Sequence, residues 1–144
     1  MTSHLLLRHL ASRGESGNPL RVGLIGAGKF GTMFLALANR ISGLHVLGVA
    51  DLEINRIKAA LEHAQWPKET YNAGNFDEAF AAQTTHITDD PISLIEAERL
   101  EVVVEATGNP VAGAHYALRS IDVGTHIVAG VSLILMNRQN EPGA

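Results

Sequence analysis

The residues with the clearest chemical potential are Gly26, Gly28 and Gly31, spaced G-x-G-x-x-G within Gly26-Ala27-Gly28-Lys29-Phe30-Gly31, together with a single acid downstream, Asp51. Each glycine has a separate physical use. The first permits a tight turn, the second leaves room for a phosphate against the backbone, and the third lets a helix pack close to a sheet. The free N–H groups of Gly26 to Gly31, Lys29 and Phe30 included, and the positive end of the helix would hold a pyrophosphate. Asp51 lies 51 − 26 = 25 residues beyond the first glycine, close to the spacing of about 20 for a carboxylate that takes the adenosine ribose hydroxyls. An acid there favours NAD, because it repels the 2′-phosphate of NADP. Asp51 would also serve as a helix N-cap. Arg56 keeps NADP open: from the next helix it either reaches a 2′-phosphate or pairs with Glu53.

A rival phosphate motif overlaps the first. Gly23 to Lys29 reads G-x-x-x-x-G-K, but a P-loop needs Ser or Thr next, where this chain has Phe30. Gly23 also falls inside a predicted strand, and Phe30 begins an apolar stripe. A second candidate segment is Glu105-Ala106-Thr107-Gly108-Asn109-Pro110. It follows a predicted strand, so Thr107 and Gly108 are expected beside the nicotinamide half of a dinucleotide. The plainer alternative for Gly108 and Asn109 is a loop and a helix cap. None of the seven histidines has metal-ligand spacing. No G-x-S-x-G elbow occurs, and no pair of titratable residues has a spacing that demands acid-base catalysis. Catalytic residues stay unassigned, and no metal is expected.

The elements that must position these residues read as alternating strands and helices. Apolar runs at Leu20 to Ile25, Leu44 to Ala50 and Val102 to Glu105 suit strands buried on both faces, with shorter ones near His86-Ile87 and at Thr125 to Ala129. Phe30, Met33, Phe34, Leu37, Ala38 and Ile41 form a helical stripe. Ile54, Ile57, Leu61 and Ala64 mark another helix, ended by Trp66-Pro67. Asn75 to Glu78 reads as a capping box opening a short helix. Asp90-Pro91 begins a helix reaching about Arg99, and Asn109-Pro110 begins one whose Val111, Ala114, His115, Leu118 and Ile121 are expected to face inward. This alternation predicts an α/β fold, a doubly wound parallel sheet of about five strands in a single Rossmann domain.

The 144 residues, 46% hydrophobic and 18% charged, suit one globular domain. A net charge of −4 offers nucleic acid and anionic lipid no general attraction. The absence of cysteine excludes disulfides and thiol chemistry. The longest apolar stretch, Ile127 to Met136, is too short to cross a membrane, and the expected location is the cytoplasm. Residues 1–19 read as a leader helix over Leu5 to Ala11 and a linker, residues 20–136 as the dinucleotide-binding domain, and residues 137–144 as a disordered tail. An open sheet edge at the fifth strand suggests a homo-oligomer.

Three stretches, Arg21 to Gly31, Ala50-Asp51 and Val102 to Gly108, resemble the N-terminal domain of homoserine dehydrogenase-like oxidoreductases. The likeness is greatest to the deoxyxylulose-phosphate reductoisomerase-like subgroup, whose members carry a SAF domain. The resemblance implies an NAD(P)-dependent oxidoreductase acting on a small-molecule carbonyl or alcohol held by a further substrate domain. It also implies a longer chain. After Ala129 the sequence runs Gly130-Val131-Ser132-Leu133-Ile134, where homoserine dehydrogenases carry an Asn-Lys, so the usual lysine is missing. The expected function is therefore the NAD(P)-binding domain of an oxidoreductase in a truncated chain that is inactive alone. The alternative is a non-catalytic module that binds or senses a dinucleotide.

Overall fold

The computed structural model describes residues 2–129. In chain order these form α1 (Thr2–Glu15), β1 (Leu20–Ile25), α2 (Lys29–Ala38), β2 (Leu44–Ala50), α3 (Ile54–His63), α4 (Phe76–Ala82), β3 (His86–Thr88), α5 (Pro91–Ile95), β4 (Val102–Glu105), α6 (Pro110–Val123) and β5 (His126–Ala129). The strands make one sheet in the order β3-β2-β1-β4-β5, and every neighbouring pair is parallel. The architecture is the expected α/β doubly wound Rossmann type. From β1 the chain steps outward through β2 to β3, then crosses back to lay β4 on the other side of β1. The carboxyl ends of β1 and β4 therefore flank the point where strand order reverses, and open α/β sheets take ligands there.

Two cores sandwich the sheet. On one side Val22, Leu24, Val46, Val49 and Val104 pack against Leu35 and Ala38 of α2 and Ile57, Ala60 and Leu61 of α3. On the other, Ile25, Leu47, Ala50 and Val103 meet Ala79 of α4 and Leu94 and Ile95 of α5. Close approach on this second side depends on two glycines that face one another across β1 and β2, Gly23 and Gly48. A Cβ on Gly23 would stand 2.9 Å from Leu94, and one on Gly48 would stand 2.6 Å from the Phe76 ring. Gly23 thus serves strand packing, as its place inside β1 predicts.

Several helices differ in extent or facing from their sequence patterns. The first helix runs to Glu15, well past Ala11. Its Leu10 is buried, and the Arg13 guanidinium holds Glu101 at 2.9 Å at the amino end of β4. Burial alone would raise the Glu101 carboxyl. Its bonds from Arg13 and the Arg21 backbone, with both guanidinium charges, outweigh burial and hold it below the ordinary glutamate value. Helix α2 ends at Ala38, before Ile41, and buries Gly31, Leu35 and Ala38, while Met33 and Leu37 are exposed. Helix α5 stops at Ile95 and not near Arg99, because the chain turns there to return Leu100 to the core and feed β4. Asn75 caps α4 through the Glu78 N–H, but the Glu78 carboxylate accepts from Gly74 and not from Asn75.

The largest correction concerns α6. The face expected to be inward is the exposed one: Val111, Leu118 and Ile121 are 81%, 65% and 69% accessible, and Ala114 and His115 are exposed as well. The helix instead turns Gly113, Tyr116, Ala117 and Ser120 toward the protein. Small residues win here because the helix lies tight against β4, where a Cβ on Gly113 would come within 2.9 Å of Glu105 Oε2. The stretches beyond Ala129, including the expected tail at 137–144 and the departure at Gly130 to Ile134, lie outside the described residues.

Candidate functional site

The turn out of β1 is built by glycine at every step where a side chain would intrude. Gly26 has φ +98°, and a Cβ there would lie 2.8 Å from the backbone of Ala106. The β1–α2 turn and the β4–α6 turn therefore touch at this residue. Gly31 sits under the loop, where a Cβ would fall 2.0 Å from the Gly26 carbonyl oxygen. Gly28 differs: among the described residues, its own chain neighbours aside, nothing lies within 4 Å of where its Cβ would be. The chain itself does not need that space, which opens into the cleft.

Gly28 is also the N-cap of α2 and supplies no capping side chain. The helix ladder begins with the Thr32 N–H bonded to the Gly28 carbonyl at 2.9 Å, so the N–H groups of Lys29, Phe30 and Gly31 have no acceptor within the helix. By contrast α5 and α6 are capped by the side chains of Asp90 and Asn109. The Phe30 side chain packs toward the core and the Lys29 side chain is exposed.

Asp51, the residue following β2, is 8% accessible and binds both sides of the loop system. Its Oδ2 accepts the Ala27 N–H at 2.9 Å, and its Oδ1 accepts the Glu53 N–H at 2.9 Å. It is not the cap of α3, a position that Glu53 occupies. A carboxylate offers about four lone-pair positions, so these two bonds leave it acceptor capacity, and Asp51 lines the cleft. The Arg56 guanidinium lies 3.7 Å from Glu53, the pairing its spacing offered, and 4.0 Å from Asp51 as well, both loosely and near the surface.

These pieces border one cleft of about 330 Å³. Of the residues singled out by sequence, Gly26, Gly28, Asp51, Arg56 and Thr107 line it; the side chains of Lys29 and Phe30, and Gly31 and Gly108, do not. Lys29 instead borders a second groove between α2 and α3, which Gly28 and Arg56 also line. Gly108 takes φ +70° in the β4–α6 turn, and Asn109 caps α6 by accepting the Val111 and Ala112 N–H groups. The plain reading of Asn109 as a cap is therefore realised, although Asn109 also lines the cleft.

Sequence reasoning passed over Leu52, Tyr116 and Glu105. Leu52 is an exposed apolar side chain at the cleft mouth. Tyr116 reaches the cleft wall from α6; burial first, then the nearby charges of Glu105, Asp51 and Asp90, push its phenol above the ordinary value and keep it a protonated donor. Glu105 is 4% accessible at the end of β4. An acid closing an otherwise apolar Val-Val-Val strand was the signal for it. Among the described residues no group of three or more His, Asp or Glu side chains is placed to hold a metal, and no helix is long and apolar enough to cross a membrane.

No family model matches the chain, and no curated protein is significantly similar to it in sequence. Solved structures do match. A myo-inositol dehydrogenase from Lactobacillus casei, in complex with NAD(H) and myo-inositol, is 20% identical with a TM-score of 0.58, over 77% of this chain and 28% of that one. A 3-ketoreductase from Actinomadura kijaniata, in complex with NADP and TDP-benzene, is 19% identical with a TM-score of 0.57, over 78% and 29%. An NAD-binding protein from Listeria innocua is 20% identical with a TM-score of 0.56, over 78% and 27%. The chain thus spans less than a third of the length of these structures, and at such identity the likeness establishes the fold: a Rossmann domain of the kind these proteins contain.

Proposed function

We propose that this chain is the nicotinamide-dinucleotide-binding domain of an oxidoreductase. The observation that carries the reading is the unfilled space at Gly28, beside uncapped N–H groups of α2 and facing the Asp51 carboxylate across a cleft at the reversal of strand order. A pyrophosphate fits that space, since it brings acceptors to the N–H groups and negative charge to the positive helix end. Gly26 and Gly31 shape the loop. Lys29 and Phe30 contribute backbone N–H groups, and Asp51 accepts the two ribose hydroxyls with its remaining lone pairs. Thr107 borders the nicotinamide half, and Gly108, outside the cleft, shapes the turn that follows it. When bound, the cofactor supplies hydride transfer to or from a small carbonyl or alcohol substrate.

The Asp51 carboxylate favours NAD. Arg56 already faces Asp51 and Glu53, which leaves less of its charge for a 2′-phosphate. The motifs at Arg21 to Gly31 and Val102 to Gly108 support a homoserine dehydrogenase-like assignment within the oxidoreductases. Among the described residues β5 is an edge strand, with Val128 exposed on it, which supports association of the chain with another copy. Fluorescence titration tests the central reading. Saturable binding of NADH, tighter than that of NADPH, is expected. Absence of saturable binding of either at millimolar concentration would overturn it, and tighter binding of NADPH would move the assignment of the ribose subsite to Arg56.

A further inference from the structure

The carboxylate of Glu105 has no part in the cofactor contacts assigned above, yet it is buried at the end of β4 and bonded through one of its oxygens. Its Oε1 accepts the Thr107 N–H at 2.9 Å and, in a short contact, the Thr107 hydroxyl. Its Oε2 abuts Gly113, where even a methyl group would stand 2.9 Å away. Thr107 in turn accepts the Asn109 N–H on its Oγ1 at 3.2 Å. A hydroxyl has one proton to give and two lone pairs. The proton is committed to Glu105 and one lone pair to Asn109, and Thr107 lines the cleft. What it has left for a ligand is one acceptor position and no donor.

From this arrangement we infer that Glu105 fixes Thr107 as an acceptor-only group that selects the carboxamide amine of the nicotinamide ring. The inference rests on the dinucleotide reading. A carboxamide carries an N–H donor to meet that lone pair. The analogue with a carboxylate in its place, nicotinic acid adenine dinucleotide, brings only acceptors and a negative charge to a spot already lined by a buried acid. An acceptor facing an acceptor leaves both unpaired and adds repulsion, so discrimination of tenfold or more is expected. Glu105 is then a positioning residue: it touches no ligand and acts by holding the Thr107 proton inward.

The experiment compares three ligands, NAD, nicotinic acid adenine dinucleotide and ADP-ribose, by calorimetry on the intact chain and three variants. The intact chain should bind NAD at least tenfold tighter than the acid analogue, with ADP-ribose marking the contribution of the adenosine half. In Glu105→Leu no acceptor remains for the hydroxyl proton, so the hydroxyl is released to donate and the preference for NAD over the acid analogue should fall severalfold while ADP-ribose affinity is kept. An unchanged preference in this folded variant would overturn the role of Glu105. Thr107→Val should lose the preference and Thr107→Ser should restore it. Thermal melts confirm that each variant is folded, and if Glu105→Leu is not, the Thr107 pair carries the test. Equal affinity of the intact chain for NAD and its acid analogue would overturn the inference and leave the dinucleotide reading standing, as would a preference unchanged in Thr107→Val. Failure to bind any of the three would overturn both.

Discussion

Asp51 does two things with one carboxylate. It ties the loop after β1 to the turn after β2 through the Ala27 and Glu53 N–H groups, and it still faces the cleft. Asp51→Asn should therefore weaken NADH binding and lower stability together, because an amide presents its NH₂ to one of those two N–H donors. One unsatisfied buried donor costs about 1–3 kcal/mol, and titration together with urea unfolding reads both effects. The two glycines that flank this loop make opposite predictions. Gly28→Ala meets no atom of the described residues beyond its chain neighbours, so the melting temperature should hold within a degree or two while dinucleotide affinity drops tenfold or more. Gly31→Ala places a methyl 2.0 Å from the Gly26 carbonyl. The backbone must shift, at about 1–3 kcal/mol, and the melting temperature should fall by several degrees. Equal loss of stability in the two variants would contradict the open space at Gly28. At this scale the sequence was most legible: G-x-G-x-x-G, the acid after β2 and Thr107 were visible from type and spacing. Tyr116 was not, because what a side chain bonds to within a fold has no local signature. For Glu105 the only signal was an acid after three valines, which does not name its partners.

Helix faces were harder to read than helix positions. Apolar spacing correctly placed α2 and α6, yet in both the large apolar residues face outward on part of the helix and small ones pack inward: Gly31 and Ala38 in α2, Gly113 and Ser120 in α6. Hydrophobic periodicity weighs side chains by size and misses that close helix–sheet contact selects residues without bulk. The correction is testable. Leu118→Glu with Ile121→Lys should change stability by no more than about 0.5 kcal/mol per site, as exposed positions do. An inward face would instead be strongly destabilised. At the level of strands, His45 of β2 is buried and donates its Nε2–H to the Thr84 carbonyl at 2.6 Å, tying β2 to the turn before β3. Burial lowers its pKa below the ordinary 6.5; the Thr84 bond opposes this and the Arg21 charge adds to it. The unfolded chain therefore takes up this proton first as pH falls. Stability from His45 should be complete above 6.5 and be lost as pH drops through the lowered folded value. Urea midpoints between pH 8 and pH 5 should show the decline, and His45→Gln should flatten it.

For the whole molecule, the sheet order decides where anything binds. A ligand held between the β1–α2 and β4–α6 turns bridges the two halves of the sheet on either side of the crossover, so binding should stabilise the domain globally. At 100 times the dissociation constant, mass action gives about 2.7 kcal/mol, or a rise in melting temperature on the order of 5–10 °C. A thermal shift with NADH that falls to about half or less in Gly28→Ala at the same ligand concentration, as a tenfold or greater loss of affinity requires, would tie that rise to this cleft. By itself the sequence determined the alternation of strands and helices and the phosphate loop with its acid, since these depend on local periodicity and on residues that must be glycine or carboxylate where they stand. Only the tertiary structure decided the rest. It brought the residues after β1, β2 and β4 to one crevice, chose the small-residue faces of α2 and α6 for packing, and placed Glu105 under Thr107. Those outcomes depend on contacts between residues far apart in the chain, which close packing resolves and no local pattern records.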